Sequence, residues 1–198
     1  MTEIIVRPAQ KKKEAADLAI LDNLAGHGIS HSFWEKAVML GQANDPLDYG
    51  RSRFASDEIF AWRNAYVAVE DDMIAGSITS YVMPTSDEDE MLVMKQEAPA
   101  FVPVFELYGA ATGNWFIDSF AVFADYRGKG LGETLLKNSL LRGRHSGAKR
   151  AMLVCEDTNT AARALYEKYN FNEIDERPFV DFGLNHTVNK WLLLAADY

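Results

Sequence analysis

The chain has one cysteine, Cys155, in 198 residues. One cysteine cannot form an internal disulfide, so a disulfide scaffold is excluded and a reduced, cytoplasmic setting is expected. Long apolar runs are missing too. The run near the C-terminus, Trp191 to Ala196, is far too short to cross a bilayer, which takes about 20 residues, so no membrane partner is expected. The opening MTEIIVRPAQKKK has no apolar stretch behind its charges and does not read as a signal peptide. Positive charge is scarce: 20 Lys and Arg stand against 29 Asp and Glu, a net charge of −9, which argues against general nucleic-acid binding. Repeats, low-complexity tracts and Pro/Gly/Ser-rich linkers are absent, so one domain, 1–198, is expected. His27 and His31 are four apart, but Gly28 lies between them and no acid stands at useful ligand spacing, so no metal is expected. What remains is ordinary globular composition, with 48% hydrophobic and 25% charged residues, at a length that can bury a core.

The charge is unevenly distributed. Between Arg127 and Arg150 seven basic residues face one acid, Glu133, whereas between Val67 and Leu107 nine acids face Lys95 alone. One reading is a pair of solvated faces. The other is a basic clamp for a polyanion and an acidic approach for a cation.

The organising stretch is WFIDSFAVFADYRGKGLGET, residues 115–134. Trp115 to Phe123 is rich in aromatic and β-branched residues and reads as a strand. A turn with Arg127, Lys129 and three glycines, Gly128, Gly130 and Gly132, follows; from Leu131 a helical spacing of leucines begins. The first amides of a helix lack intrahelical partners and carry the positive end of its dipole, and glycines let an anion approach them, so a phosphate is the natural guest. The spelling is not a Walker loop, because Gly128-Lys129 is followed by Gly130, nor a dinucleotide fingerprint, because Glu133 stands where its third glycine belongs. A plain Gly-rich turn is the alternative at this point.

Along the rest of the chain, Glu3–Arg7 reads as a strand and Lys11 onward as a helix ended by Gly26 and Gly28. Ser30 or Ser32 is suited to cap a second helix through about Leu40, and Asp45-Pro46 opens another short helical or irregular piece. Ala65–Val69 and Ile74–Val82 form a hairpin across Asp71-Asp72. Pro84–Glu90 is turn-like, and Met91–Met94 and Phe101–Tyr108 are helical in part. After the helix from Leu131, ended near Gly147, come a buried strand Ala151–Cys155, a helix capped by Asp157–Thr160, strand-like Phe171–Ile174 and Phe179–Phe182, and a last strand His186–Ala195. Mixed helices and strands with hairpins at both ends imply an α/β (α+β) mixed sheet covered by helices. The apolar last strand is suited to a homodimer contact.

Arg127-x-x-Gly130-x-Gly132 resembles the acyl-CoA pyrophosphate loop of the GNAT superfamily of N-acetyltransferases, and AVFADYRGKGLG resembles that family's strand-to-loop signature. LVCEDTNTAARALYEKYNF resembles its second signature, in which a strand leads to Asn, then Ala, then Leu-Tyr-Glu-x-x-Gly-Phe; here Asn170 replaces the Gly. Together they cover about Trp115 to Phe171. The resemblance implies a single GNAT-like domain with a mixed central sheet of about six to seven strands flanked by helices and a splayed parallel strand pair that binds the cofactor. It implies acetyl-CoA as cosubstrate and acetyl transfer to a primary amine of a small molecule or peptide, by direct attack in a ternary complex. The alternatives are a non-catalytic acyl-CoA sensor on the same fold, or an interaction domain.

By that resemblance the backbone of Arg127, Gly128, Lys129, Gly130, Leu131, Gly132 and Glu133 holds the pyrophosphate, and Phe120, Ala121 and Val122 bond the pantetheine arm. Asn159 bonds the same arm or simply caps its helix. Tyr166 is the acid for the leaving thiolate and also contacts the cofactor, against its reading as a core tyrosine. Asp118 shares strand parity with Phe116, Phe120 and Val122, and is either the general base, with a pKa raised by its apolar neighbours, or a structural carboxylate. His31, Trp34, Glu106 and Tyr108 are candidate acceptor-pocket residues, and the acidic middle favours a cationic acceptor.

Overall fold

In the computed structural model the residues described are 4–85, 92, 95–96, 98–183 and 187–198. Seven strands form one sheet in the order β1-β2-β3-β4-β5-β7-β6. In chain order these are β1 Ile5–Pro8, β2 Ala65–Glu70, β3 Met73–Val82, β4 Trp115–Val122, β5 Arg150–Glu156, β6 Asn172–Pro178 and β7 Lys190–Asp197. The α-helices with described bounds are α1 Lys11–Ala25, α2 Ile29–Met39, α3 Pro46–Phe54, α4 Val102–Ala110, α5 Leu131–His145 and α6 Thr160–Lys168. The mixed sheet with flanking helices is the expected fold class. β4 and β5 run parallel, Trp115 opposite Ala151 through Ile117 opposite Leu153, as a crossover through α5 requires. The turn expected at Pro84–Glu90 and the helix at Met91–Met94 fall largely outside the described residues, as does His186.

Two compact units divide the contacts: Met1–Tyr81 with Asp118–Leu140, and Val82–Ile117 with Leu141–Tyr198. In the first unit β1, β2 and β3 are antiparallel. Asp71 and Asp72 take φ of 51° and 62°, the left-handed pair that a tight hairpin turn needs. Trp34, Phe54, Leu18, Val67 and Val69 pack into its core. Glu14 is a buried acid in the same unit. Its carboxylate takes Arg7 Nη2 at 2.6 Å and the Gln10 amide at 2.6 Å, which joins β1 to the first turn of α1. A Cβ at Gly50 would lie 2.7 Å from the Trp34 ring, so α2 and α3 approach closely there. Asp45 caps α3 by accepting from the Asp48 amide. Neither expected serine caps α2: Gly28 does, at φ 102°, while the Ser30 hydroxyl turns to Asp22 and that of Ser32 to the Gly28 carbonyl. α5 is fastened by Ser139 Oγ, which donates to Ser80 Oγ of β3 at 2.8 Å, both residues being fully buried.

In the second unit β7 lies between β5 and β6, antiparallel to both. Six of its eight residues are buried within the chain itself. Asn170 at φ 61° ends α6 in the left-handed conformation that the replaced glycine would adopt. Phe179–Phe182 is not a strand. The Phe179 ring meets Trp191 at 5.0 Å, the Phe182 ring meets Phe101 at 5.0 Å, and the two lie 5.8 Å apart. Side chains three apart in a strand would point to opposite faces, so joining one aromatic cluster requires the chain to leave the extended form.

A Cβ at Gly143 in α5 would lie 2.6 Å from Trp115 Cγ and would strike the Tyr198 hydroxyl. Gly143→Ala should therefore destabilise by about 1–3 kcal/mol through overpacking, although alanine is the better helix former. Thermal denaturation checks this; a raised melting temperature would mean that the ring can yield.

Candidate active site

β4 leads through a 3-10 turn, Ala124–Tyr126, into the glycine loop and α5. Gly128 and Gly130 have φ of 77° and 82°, a region that side-chain-bearing residues rarely adopt, and nothing lies within 4 Å of where their Cβ atoms would be. The loop is thus both glycine-dependent and open. Arg127 Nε donates to the Val122 carbonyl at 2.9 Å, tying the loop to the end of β4. Leu131, Leu135 and Leu136, all buried, fix the start of α5 in the first unit. The helix therefore presents its N-terminal amides beside an exposed backbone, the arrangement that suits a phosphate. Lys129 is ion-paired. Its Nζ lies 2.8 Å from Glu70 Oε2 and 5.1 Å from the Tyr126 ring centre, and the bond to Glu70 raises its pKa. Glu133 pairs with Lys137 at 2.9 Å, one turn along α5.

Asp118, Phe120 and Val122 share the less buried face of β4, while Ser119 and Ala121 are buried. The opposite side of Ala121 is closed by β3: a Cβ at Gly76 would lie 2.7 Å from the Ala121 carbonyl oxygen. The Asp118 carboxyl is pushed up to about 7, first by desolvation and then by the charge of Asp22, against a hydrogen bond from Tyr81. Asp22 is also raised by desolvation, partly offset by hydrogen bonds from Ser30 and Ser119. Asp22 was not singled out in the sequence, and neither was Glu70. A signal for Asp22 existed: Ala15, Leu18, Ala19 and Asp22 follow the i, i+3, i+4, i+7 spacing of one helix face, and the first three are buried.

In the second unit, the Asn159 side chain accepts from the Ala162 amide at 3.3 Å, so it does cap α6. Tyr166 is buried, its ring 5.7 Å from Phe171, and desolvation drives its phenol well above the ordinary range. The buried Cys155 thiol is pushed up to about 12 by desolvation, which leaves it protonated and unreactive.

The sequence profile of the acetyltransferase (GNAT) family matches residues 38–171. The chain belongs to the GNAT acetyltransferase family. The match spans the glycine loop, Asp118, Asn159 and Tyr166, and starts after Asp22. No curated protein matches the chain. Among solved structures, protein PH1933 of Pyrococcus horikoshii OT3 aligns with a TM-score of 0.61 at 20% identity over 99% of both chains. An N-acetyltransferase of Staphylococcus aureus Mu50 aligns with a TM-score of 0.61 at 21% identity, over 97% of this chain and 100% of that one. The ribosomal-protein-S18-alanine N-acetyltransferase of Escherichia coli aligns with a TM-score of 0.60 at 15% identity, over 98% of this chain and 94% of that one. These likenesses place this GNAT chain in the family's fold, and acyl transfer is the family's chemistry.

The four residues considered for an acceptor pocket have the following neighbours. Trp34 is buried in the core of the first unit. His31 lies 3.4 Å from Glu35 and edge-on to Trp34. Glu106 accepts from Arg177 Nε at 3.0 Å, and the Tyr108 ring packs on Phe116 at 4.9 Å. Among the described residues, no helix is long and apolar enough to cross a membrane, and no cluster of His, Cys, Asp and Glu is arranged for a metal.

Proposed function

We propose that this GNAT member is an acetyl-CoA-dependent N-acetyltransferase that acylates a primary amine of a small molecule or peptide within a ternary complex, in a cytoplasmic setting. The observation that carries the reading is Asp118: a carboxyl poised at about 7, on the strand that feeds directly into an open glycine cradle. A base with that proton affinity can accept a proton from an ammonium group near neutral pH and still release it to solvent.

The residues present fit coenzyme A. The amides of Arg127 to Glu133 would hold the pyrophosphate, with Lys129 adding charge once it leaves Glu70. The backbone of Phe120, Ala121 and Val122, together with Asn159, would bond the pantetheine arm. When bound, acetyl-CoA supplies an acyl carbon activated as a thioester. Asp118 takes the proton that the ammonium must lose before its nitrogen lone pair can attack. Tyr166, whose raised pKa keeps its phenol protonated at neutral pH, donates that proton to the departing sulfur.

The test is calorimetric titration with acetyl-CoA, desulfo-CoA and ATP, followed by a screen of amines for thiol release. Acetyl-CoA should bind tightly and ATP weakly. Tyr166→Phe should lower turnover about 100-fold while leaving acetyl-CoA affinity unchanged, as expected for a proton donor. Full turnover would return Tyr166 to the core. Tight binding with no turnover on any amine would favour the sensor reading.

A further inference from the structure

An acid is bonded to a basic side chain of the glycine loop. Lys129 Nζ donates to Glu70 Oε2 at 2.8 Å, across 59 positions of the chain. A cradle for an anion gains nothing from a carboxylate held beside it, because like charges repel the guest. The strand does not require it either: the backbone of Glu70 pairs with Met73 at the end of β2, and that pairing calls for no charge. Conflicts of this kind gather at functional sites.

The two partners are unequally held. The Glu70 side chain is 11% exposed, on the last residue of a strand, just before the hairpin turn at Asp71-Asp72. The Lys129 side chain is 47% exposed. It stands between Gly128 and Gly130, with nothing within 4 Å of where either glycine's Cβ would be. The Tyr126 ring, 5.1 Å from Nζ, gives the ammonium a second and weaker partner. The acid is therefore the anchor, and the lysine, on its long flexible stem, is the part that can move. A carboxylate at this depth is destabilised when its cation leaves. A ligand that draws Lys129 to itself must offset that loss.

We propose that Glu70 is a positioning residue that acts through Lys129: its carboxylate holds the ammonium at the end of β2, competes with the cofactor's pyrophosphate for it, and so sets how tightly the loop binds coenzyme A. The inference rests on the reading of the loop as the cofactor cradle. Lys129 is released only to a ligand with more negative charge to offer than one carboxylate. A pyrophosphate, charged on each of its phosphates, meets that condition. The apparent affinity is reduced by the fraction of loops whose lysine is engaged at Glu70.

A double-variant cycle, read by calorimetry with acetyl-CoA, tests this without an acceptor amine. Glu70→Gln keeps the shape of the side chain and removes its charge, so it should tighten binding about five- to tenfold. Glu70→Ala should shift the affinity in the same direction, so the result does not depend on one variant folding. Lys129→Met should weaken binding. In the Lys129→Met background, Glu70→Gln should have no further effect, because the carboxylate then has no ammonium to withhold. A merely structural Glu70 would give weaker or unchanged binding when replaced. Unchanged or weaker affinity in both Glu70 variants would overturn the inference. An equal gain in the Lys129→Met background would also overturn it, since the carboxylate would then repel the cofactor directly. Failure of the cofactor reading looks different: if neither the wild type nor Glu70→Gln binds acetyl-CoA, the loop is not a coenzyme A cradle, and the inference falls with it.

Discussion

Asp118→Asn is expected to make the protein more stable at pH 8 and close to inactive. The folded state holds the Asp118 proton up to about 7, whereas an unfolded aspartate releases it near 3.9. Between those values the folded state binds more protons than the unfolded one, so stability falls as pH rises from about 4 to 7 and then levels off. The full cost is present above 7 and absent below 4. Asparagine carries no such charge, so the variant should gain on the order of 2–4 kcal/mol at pH 8, and this gain should vanish toward pH 4. Thermal denaturation at pH 4.5, 6 and 8 reads the difference. Equal melting temperatures at pH 8 would mean that the carboxyl is solvated and ordinary. The same substitution should lower turnover on any accepted amine by about 100-fold or more, the usual contribution of a positioned base. A gain in stability with a loss of turnover is the signature of a site that trades one for the other.

Gly130→Glu should abolish acetyl-CoA binding, with a loss of about 100-fold or more. Two effects add. The φ of 82° is unfavourable for any residue with a Cβ, by about 1–2 kcal/mol. A carboxylate at the rim then repels the pyrophosphate and cancels the helix-terminal field that attracts it. Gly130→Ala separates the two: the space is open, so alanine suffers only strain and should lose about tenfold in affinity. Calorimetry on both variants decides the matter. Wild-type affinity in the glutamate variant would take the cradle out of the cofactor site.

Much of this was legible in the chain. The hairpin at Asp71-Asp72, the caps at Asp45 and Asn159 and the left-handed Asn170 follow from residues whose side chains act on their own backbone, and all appear where the sequence puts them. Helix and strand order is similarly local. The errors are long-range. Phe179–Phe182 has strand-like composition but is drawn into a cluster with Phe101 and Trp191, residues distant in sequence. Ser30 has the chemistry of a cap but finds a better acceptor in Asp22.

The amino-acid sequence by itself determined the kind of protein. Its glycine loop and second signature carry the family, and its β–loop–α spelling carries the cradle, because helix termini and glycine backbones act within a few residues. The electrostatic state of the site was decided only by tertiary structure. Asp22, Ser30, Tyr81, Asp118 and Ser119 are scattered over nearly one hundred positions, and Glu70 and Lys129 are 59 residues apart. Desolvation and charge coupling depend on distance in space and on burial, and neither is a property of sequence separation.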